Sequence, residues 1–217
     1  MRFLAIETAS EACSVALFEG VTFNGSQVIA HDHRVLGRGH AERLVPMIAA
    51  LPDKGRADRI FVSLGPGSFT GVRVGLAAAR ALGVAWNAPV QGYETLRLIH
   101  AIAAHPAPRP VTVCVNGGQG EWFVQNFAAD GEAQDRVRSL TPEQVKTAGV
   151  HPVIAGNRAE ECAALFADDA GEDPKALPIL PDARLSNQLR DAHFTDDLSP
   201  LYGRAPDATP QKLARAS

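Results

Sequence analysis

The residues with the clearest chemical potential lie in a glycine-rich stretch between two apolar runs. Leu64-Gly65-Pro66-Gly67-Ser68-Phe69-Thr70-Gly71-Val72-Arg73 follows an apolar segment at 59–64 and leads into an alanine- and leucine-rich segment that ends at Trp86. The pattern predicts a strand, a turn and a helix, with Thr70 as the N-cap of that helix. Connections from a strand through a glycine-rich turn to a helix often bind an anion, because the first N–H groups of a helix have no partner within the helix.

The stretch does not match the known nucleotide-binding or nucleophile motifs. No Lys-Ser or Lys-Thr pair follows Gly71, as a P-loop would require. The glycines at 65, 67 and 71 miss the dinucleotide spacing by one residue. Pro66 stands where a nucleophile elbow around Ser68 would need glycine. These absences disfavour an active site built from this stretch.

The histidines and cysteines form no recognisable catalytic pattern. No two of the seven histidines are four residues apart on a predicted helix, as in zinc proteases. His31 and His33 flank Asp32 on a predicted strand, where a polar strand face is favoured over a metal site. The three cysteines lack a CxxC pair and are predicted to be free, buried thiols of a reduced, cytoplasmic protein: Cys13, Cys114 and Cys162.

Two similar runs of predicted elements position these residues. Segments 2–8, 12–19 and 26–35 read as consecutive antiparallel strands, followed by a helix over 39–51 and by the strand, turn and long helix described above. Residues 111–166 repeat the order strand, turn, strand, strand, helix, strand. The chain is therefore predicted to be an α/β protein with mixed sheets and an internal duplication. It resembles an actin-like fold more than a doubly wound sheet.

A proline-rich stretch separates the two runs. Residues 105–110 contain three prolines, and such a composition favours stiff, extended backbone. This predicts an N-terminal subdomain over 1–105 and a reduced C-terminal subdomain over 106–217.

Glu7 and Asn116 end equivalent strands of the two predicted halves. Actin-like ATPases keep a magnesium-organising aspartate at the first of these positions. An amide is neutral and binds a hard cation less well than a carboxylate does. A phosphate-transfer centre would therefore be poorly built here, so we predict no catalytic residue, metal or cofactor in this chain.

The long helix carries a stripe of small residues at every fourth position. Because glycine costs roughly 1 kcal/mol relative to alanine in a helix, the stripe requires an explanation. Close packing on the chain's own sheet and contact with a partner helix both remain open. The stripe comprises Gly71, Gly75, Ala79 and Gly83.

Bulk properties restrict the partners. A net charge of −3 argues against RNA binding by this chain alone, since that normally requires a basic surface. No apolar run reaches the ~20 residues of a membrane span, and the early acidic residue Glu7 is unlike a signal peptide. The sequence thus predicts a cytoplasmic protein with no membrane association.

Several segments together resemble the TsaB (YeaZ) family of bacterial tRNA threonylcarbamoyladenosine biosynthesis proteins. The matching segments span nearly the whole chain, and the glycine stretch with its arginine is the most specific. Glu7 and residues 116–121 depart from the family, which has Asp at the first position and an Asp-Ala-Arg-rich stretch at the second. The matching segments are 6–17, His40 with Glu42-Arg43-Leu44 and Pro46-Met47, Gly65–Arg73, Pro200-Leu201-Tyr202 and Arg204-Ala205-Pro206.

The resemblance implies an actin-like (ASKHA) fold and a non-catalytic subunit. Members of the family pair with the paralogue TsaD, which carries the active site, and with the ATPase TsaE. Alone they form homodimers, and they meet tRNA only through the complex. The implied signature loop is Gly65, Pro66, Gly67, Ser68, Phe69, Thr70, Gly71 and Arg73. The implied partner interface is His40, Arg43, Leu44, Met47, Gly71, Val72, Gly75, Ala79 and Gly83.

A second hypothesis from another class is an ATP-dependent enzyme of the actin-like superfamily that acts on a small substrate. It predicts ATP hydrolysis by the isolated chain and loss of that activity on Glu7→Ala. A zinc peptidase, the activity suggested by older names in the family, lacks metal ligands in this sequence.

Overall fold

The N-terminal half forms a five-stranded mixed sheet covered by helices. The structure, a computed structural model, describes residues 1–167 and 173–203. The sheet has the order β3-β2-β1-β4-β5, with β1–β2 and β2–β3 antiparallel and β1–β4 and β4–β5 parallel. Its strands are β1 (Arg2–Glu7), β2 (Ala12–Glu19), β3 (Gln27–Val35), β4 (Arg59–Ser63) and β5 (Val90–Tyr93); the helices are α1 (His40–Ala50), α2 (Phe69–Trp86) and α3 (Thr95–Ala104).

The second half repeats this topology in a smaller sheet. Its order is β10-β9-β6-β7-β8, again with two antiparallel pairs on one side of the first strand and two parallel pairs on the other. The predicted internal duplication is therefore present. The strands are β6 (Val111–Gly118), β7 (Glu121–Phe127), β8 (Arg138–Leu140), β9 (Val153–Ala155) and β10 (Lys175–Leu177); the helices are α4 (Pro142–Ala148) and α5 (Ala159–Ala164).

Strands β1, β2 and β4 of the first sheet are buried on both faces, which explains their almost continuous apolar sequences. Successive side chains of β1 alternate between the faces. Leu4 and Ile6 pack with the helices α1 and α2, whereas Phe3 and Ala5 pack against α3 and residues near the C-terminus. Helix α3 lies between the sheets, because Leu98 joins the first core and Ile99 joins the core of the second sheet.

Residues 182–203 return to the first sheet. Ala183 and Leu189 are buried in the same apolar cluster as Phe3, and the N–H of Leu201 donates to the carbonyl of Leu64 at 2.8 Å. This segment, which consists of 3₁₀ turns and loops without a periodic sequence signal, therefore packs on the first sheet although the predicted division assigns it to the subdomain over 106–217. Residues 204–217, including the Arg204-Ala205-Pro206 match, lie outside the described residues.

The small-residue stripe of α2 faces the chain's own sheet. A Cβ at Gly71 would overlap the carbonyl oxygen of Thr8, and one at Gly75 would overlap the Thr8 hydroxyl. Ala79 is fully buried, and a Cβ at Gly83 would meet the side chain of Val90. Close packing within the chain, one of the two explanations for the stripe, therefore accounts for its small residues.

Candidate functional site

The glycine loop after β4 is held tightly between two neighbouring turns. Gly65 has φ +88°, and a Cβ at Gly67 would overlap the carbonyl oxygen of Ala9. The N–H of Ser68 donates to that same carbonyl at 2.7 Å, and the N–H of Thr95 donates to the carbonyl of Gly65 at 2.8 Å. These glycines are therefore required by close backbone approach within the chain.

Ser68, and not Thr70, caps helix α2. The helix begins at Phe69, and the N–H of Gly71 donates to the Ser68 hydroxyl oxygen at 3.1 Å. The chain thus already satisfies the N–H groups of Ser68 and Gly71. This weakens the expectation that the loop holds an anion.

An arginine and two aromatic rings form an exposed cluster beside this loop. The guanidinium of Arg73 lies 3.6 Å from the centre of the Phe69 ring and donates a 2.9 Å hydrogen bond to the Tyr202 hydroxyl. The two rings are 5.8 Å apart. This contact joins α2 to the returning C-terminal segment across 129 positions of sequence, so no local pattern could have indicated it.

A cleft of about 840 Å³ separates the two sheets next to this cluster. It lies where the chain leaves the carboxyl ends of β1, β4, β6 and β9, which is the usual place for ligands in open α/β sheets. Its walls include residues 9–11, 66–69, 116–119 and Asn157. The cleft brings the predicted signature loop and Asn116 together, although Glu7 is not among its described lining residues.

Glu7 is fully buried beneath the hairpin turn that lines the cleft. One carboxylate oxygen accepts the Ala9 N–H at 2.7 Å, and the other lies 3.5 Å from the Thr95 hydroxyl. Burial raises the pKa of Glu7 from 4.5 to about 7, against the opposing effect of these hydrogen bonds. The predicted position facing the turn is correct, but the carboxyl is half protonated near neutral pH.

Asn157 connects the two halves across the cleft. Its amide donates to the Glu11 carboxylate at 2.7 Å, and its carbonyl oxygen accepts the N–H of Asn116 at 2.9 Å. Sequence reasoning did not single out Asn157, because its partner Glu11 lies 146 positions away.

The histidines and cysteines occupy structural positions. His33 lies 3.4 Å from the Asp182 carboxylate and His31 lies 3.2 Å from the Arg184 guanidinium, so both contact the returning segment. Among the described residues, no group of three or more His, Cys, Asp or Glu side chains is arranged to hold a metal ion. The three cysteines are buried free thiols, as predicted.

Most of the predicted partner-interface residues are not on the surface. Arg43 is exposed, whereas the other eight are buried in the chain's own core, so the predicted interface stays a prediction and a partner would first meet the neighbouring exposed residues. The physical reason is that these apolar and small residues are the faces of α1 and α2 that pack on the sheet. The buried residues are His40, Leu44, Met47, Gly71, Val72, Gly75, Ala79 and Gly83.

The outward faces of the same two helices expose several apolar residues. Val45 on α1 and Val84 on α2 are 60% and 86% exposed, and six of the thirteen other exposed positions of these helices are alanines, with Glu42, Arg43, Arg73 and Arg80 among the rest. We call this the α1–α2 surface; its residues are Ala41, Val45, Ala49, Ala77, Ala81 and Val84. No helix within residues 1–167 and 173–203 combines the length and apolar character needed to cross a membrane.

The two sheets of equal topology, joined at a cleft, define a protein of the actin-like (ASKHA) α/β class, which confirms the predicted fold class. A family model described as TsaD, tRNA N6-adenosine threonylcarbamoyltransferase, matches residues 33–149. The structure of YeaZ from Pseudomonas aeruginosa aligns with a TM-score of 0.68 and 26% identity, over 86% of this chain and 89% of that one.

Sequence relatives agree with these matches. An uncharacterised protein of Mycobacterium tuberculosis is 34% identical over 228 residues, covering 95% of this chain and 93% of the relative. The tRNA threonylcarbamoyladenosine biosynthesis protein TsaB of Escherichia coli is 41% identical over 101 residues, covering 44% of this chain and 41% of TsaB. The chain belongs to the TsaD family, and within it to the TsaB (YeaZ) group, as the resemblance predicted.

Proposed function

We propose that this chain is a non-catalytic cytoplasmic subunit in the synthesis of N6-threonylcarbamoyladenosine in tRNA, and that it binds the catalytic paralogue TsaD. The proposal is supported by family membership and by the similarity to the Escherichia coli tRNA threonylcarbamoyladenosine biosynthesis protein TsaB. The ATPase TsaE would be the third component.

The observation that carries the proposal is the apolar α1–α2 surface. Val84 is 86% exposed, although burying such a side chain would contribute about 1.5–3 kcal/mol. The neighbouring residues Ala77 and Ala81 have short side chains, so a second pair of helices can approach closely. An adjoining set of exposed apolar residues on two packed helices is typical of a protein–protein contact.

The cleft supports a non-catalytic role. Glu7 occupies the position of the metal-organising carboxylate but is fully buried, with its pKa raised to about 7. Asn116, its equivalent in the second half, is neutral. Neither residue offers the exposed carboxylate that a metal–phosphate centre requires.

The same surface would serve the homodimer when the paralogue is absent. Contact with tRNA would come through the assembled complex, because the chain has a net charge of −3 and so lacks the positive charge that phosphate binding needs.

The decisive experiment is capture of purified TsaD by the immobilised chain. Val84→Glu places a charge on the α1–α2 surface and should weaken capture at least about tenfold. Val21→Glu is the matched control, since Val21 is a 91% exposed valine in the β2–β3 turn. Equal capture by both variants would refute the proposed surface, and failure of the unaltered chain to capture TsaD would refute the proposed function.

A further inference from the structure

Two of the three free cysteines lie side by side in the second half of the chain. Cys114 is in the middle of β6 and Cys162 is in α5, and both side chains are fully buried in one apolar cluster. A hydrogen bond joins the two thiols. Cys13 belongs to the core of the first sheet and is separate from this pair.

The backbone holds the two cysteines together. The N–H of Arg158 donates to the carbonyl oxygen of Cys114 at 3.2 Å, and the N–H of Cys162 donates to the carbonyl oxygen of Arg158 at 2.9 Å. Gly156, with φ +123°, permits this close approach, because a Cβ there would overlap the Cys114 carbonyl. The start of α5 therefore rests on β6 at Cys114, one helical turn before Cys162.

The two thiols differ in acidity. The hydrogen bond to Cys162, together with burial, raises the pKa of Cys114. The same hydrogen bond lowers the pKa of Cys162, against the opposing effect of burial. Because the thiolate is the nucleophile in thiol oxidation, Cys162 is the member of the pair that reacts first, and Cys114 is the thiol beside it.

Movement of α5 gives an oxidant access to the buried pair. The helix has six residues, Ala159–Ala164, and helices this short are marginal without their packing. Local opening of such an element costs less free energy than global unfolding. A small neutral oxidant such as hydrogen peroxide therefore reaches the thiols without unfolding of the sheet.

We propose that Cys114 and Cys162 form an intramolecular disulfide when the chain meets hydrogen peroxide. The Cys162 thiolate attacks one peroxide oxygen, the O–O bond breaks, and the departing hydroxide takes up a proton to become water. The Cys114 sulfur then attacks the sulfur of the sulfenic acid, the S–O bond breaks, and the oxygen leaves as a second water with the Cys114 proton. The two thiols together lose two electrons, and peroxide gains them. This reaction goes beyond the proposed subunit role.

The disulfide would fasten to β6 the turn that carries Asn157. Asn157 stands between Gly156 and Arg158, and its amide donates to Glu11 in the first half. A cross-link between positions 114 and 162 removes conformational freedom from the unfolded chain, so the oxidised chain should resist unfolding more than the reduced chain. Oxidation should thus stabilise the element that bridges the two halves.

The test is treatment of the folded full chain with hydrogen peroxide, followed by alkylation of free thiols, digestion and mass spectrometry. A cross-linked peptide pair containing Cys114 and Cys162 should appear, whereas Cys13 should remain a free thiol and be alkylated. The oxidised chain should melt about 5 °C higher than the reduced chain, and dithiothreitol should reverse both changes. The chain unfolded in urea is the matched control, since it should also form disulfides of Cys13.

Two substitutions test the order of the steps. Cys114→Ala removes the second thiol and should leave a sulfenic acid on Cys162, which is detected by its adduct with dimedone. Cys162→Ala removes the nucleophile, so Cys114 should remain a thiol at the same peroxide concentration. Cys13→Ala is the control and should keep the disulfide.

The inference is overturned if the folded chain yields no peptide pair that joins Cys114 to Cys162, if the cross-link joins two chains, or if Cys13 is oxidised as fast as the pair. A dimedone adduct on Cys114 in the Cys162→Ala variant would contradict the assigned nucleophile. The peptide mapping uses the unaltered chain, so a variant that folds poorly does not affect it. The experiment contains no TsaD, so its failure would leave the proposed partner role intact.

Discussion

The hydroxyl of Thr8 donates a 2.8 Å hydrogen bond to the carbonyl oxygen of Gly71. This contact fastens the end of β1 to the first turn of α2, and it brings the two backbones so close that no side chain fits between them. The glycines of α2 are therefore part of the chain's own core, and the surface available to a partner is the opposite face of the helix.

Substitution of Gly75 should destabilise the isolated chain. A Cβ at this position would overlap the Thr8 hydroxyl, so Gly75→Ala should lower the free energy of unfolding by about 1–3 kcal/mol and Gly75→Leu by more. Ala77→Leu is the control, because Ala77 lies on the exposed face of the same helix. Urea denaturation measures both. Equal stability of the Gly75 and Ala77 variants would contradict the packing described for the stripe.

The stripe also shows the limit of what the sequence could predict. The strands, the long helix after the glycine loop and the duplicated order followed from apolar periodicity and turn residues. The direction of the stripe could not be predicted, because small residues permit close approach to a sheet and to a partner helix alike. The N-cap could not be predicted either, because Ser68 and Thr70 both carry a hydroxyl that can cap a helix. The backbone begins the helix at Phe69, which makes Ser68 the cap.

The cleft was harder to predict than the fold. Its contacts join residues that are far apart in the sequence, since 146 positions separate Glu11 from Asn157 and 129 separate Arg73 from Tyr202. The resemblance to a family included Tyr202 among its matching residues but gave it no contact. Residues 182–203 lack a periodic pattern, so nothing in them indicated that they return to the first sheet.

Stability should depend on the protonation of Glu7. Its pKa is about 7 in the folded chain and 4.5 ordinarily, so the folded state binds more protons between these values. Stability should therefore decrease as the pH rises from about 4.5 to 7 and then level off, with a total loss of about 3 kcal/mol. Glu7→Gln should remove this dependence and be the more stable protein at pH 8.

Unfolding in urea at several pH values, with Glu19→Gln as the control, measures this effect. Glu19 is at the end of β2 with a side chain that is 61% exposed, so its substitution should leave the pH dependence in place. A Glu7→Gln variant with the same pH dependence as the unaltered chain would show that Glu7 is already ionised in the folded state.

The bridge between Glu11 and Asn157 should stabilise the contact between the two halves. A hydrogen bond to a charged group contributes about 1.5–3 kcal/mol when buried, and this one is partly buried, so about 1 kcal/mol of coupling is expected. A double-mutant cycle with Glu11→Ala and Asn157→Ala isolates that coupling. If the two single effects simply add, the bridge does not hold the halves together.

The homodimer and the complex with TsaD should exclude each other, since we propose that both use the α1–α2 surface. Adding TsaD to the homodimer should therefore yield a complex in which each TsaD contact holds a single copy of this chain, and the homodimer should disappear. Light scattering after size-exclusion chromatography measures the masses of both assemblies. Val84→Glu should weaken both assemblies to a similar degree, because Val84 is 86% exposed and its substitution acts only at the contact. Val21→Glu should leave both intact.

A species in which the homodimer persists with TsaD bound would require a second surface. The exposed edge strand β3, which pairs only with β2 in the described sheet, would then be the next element to substitute.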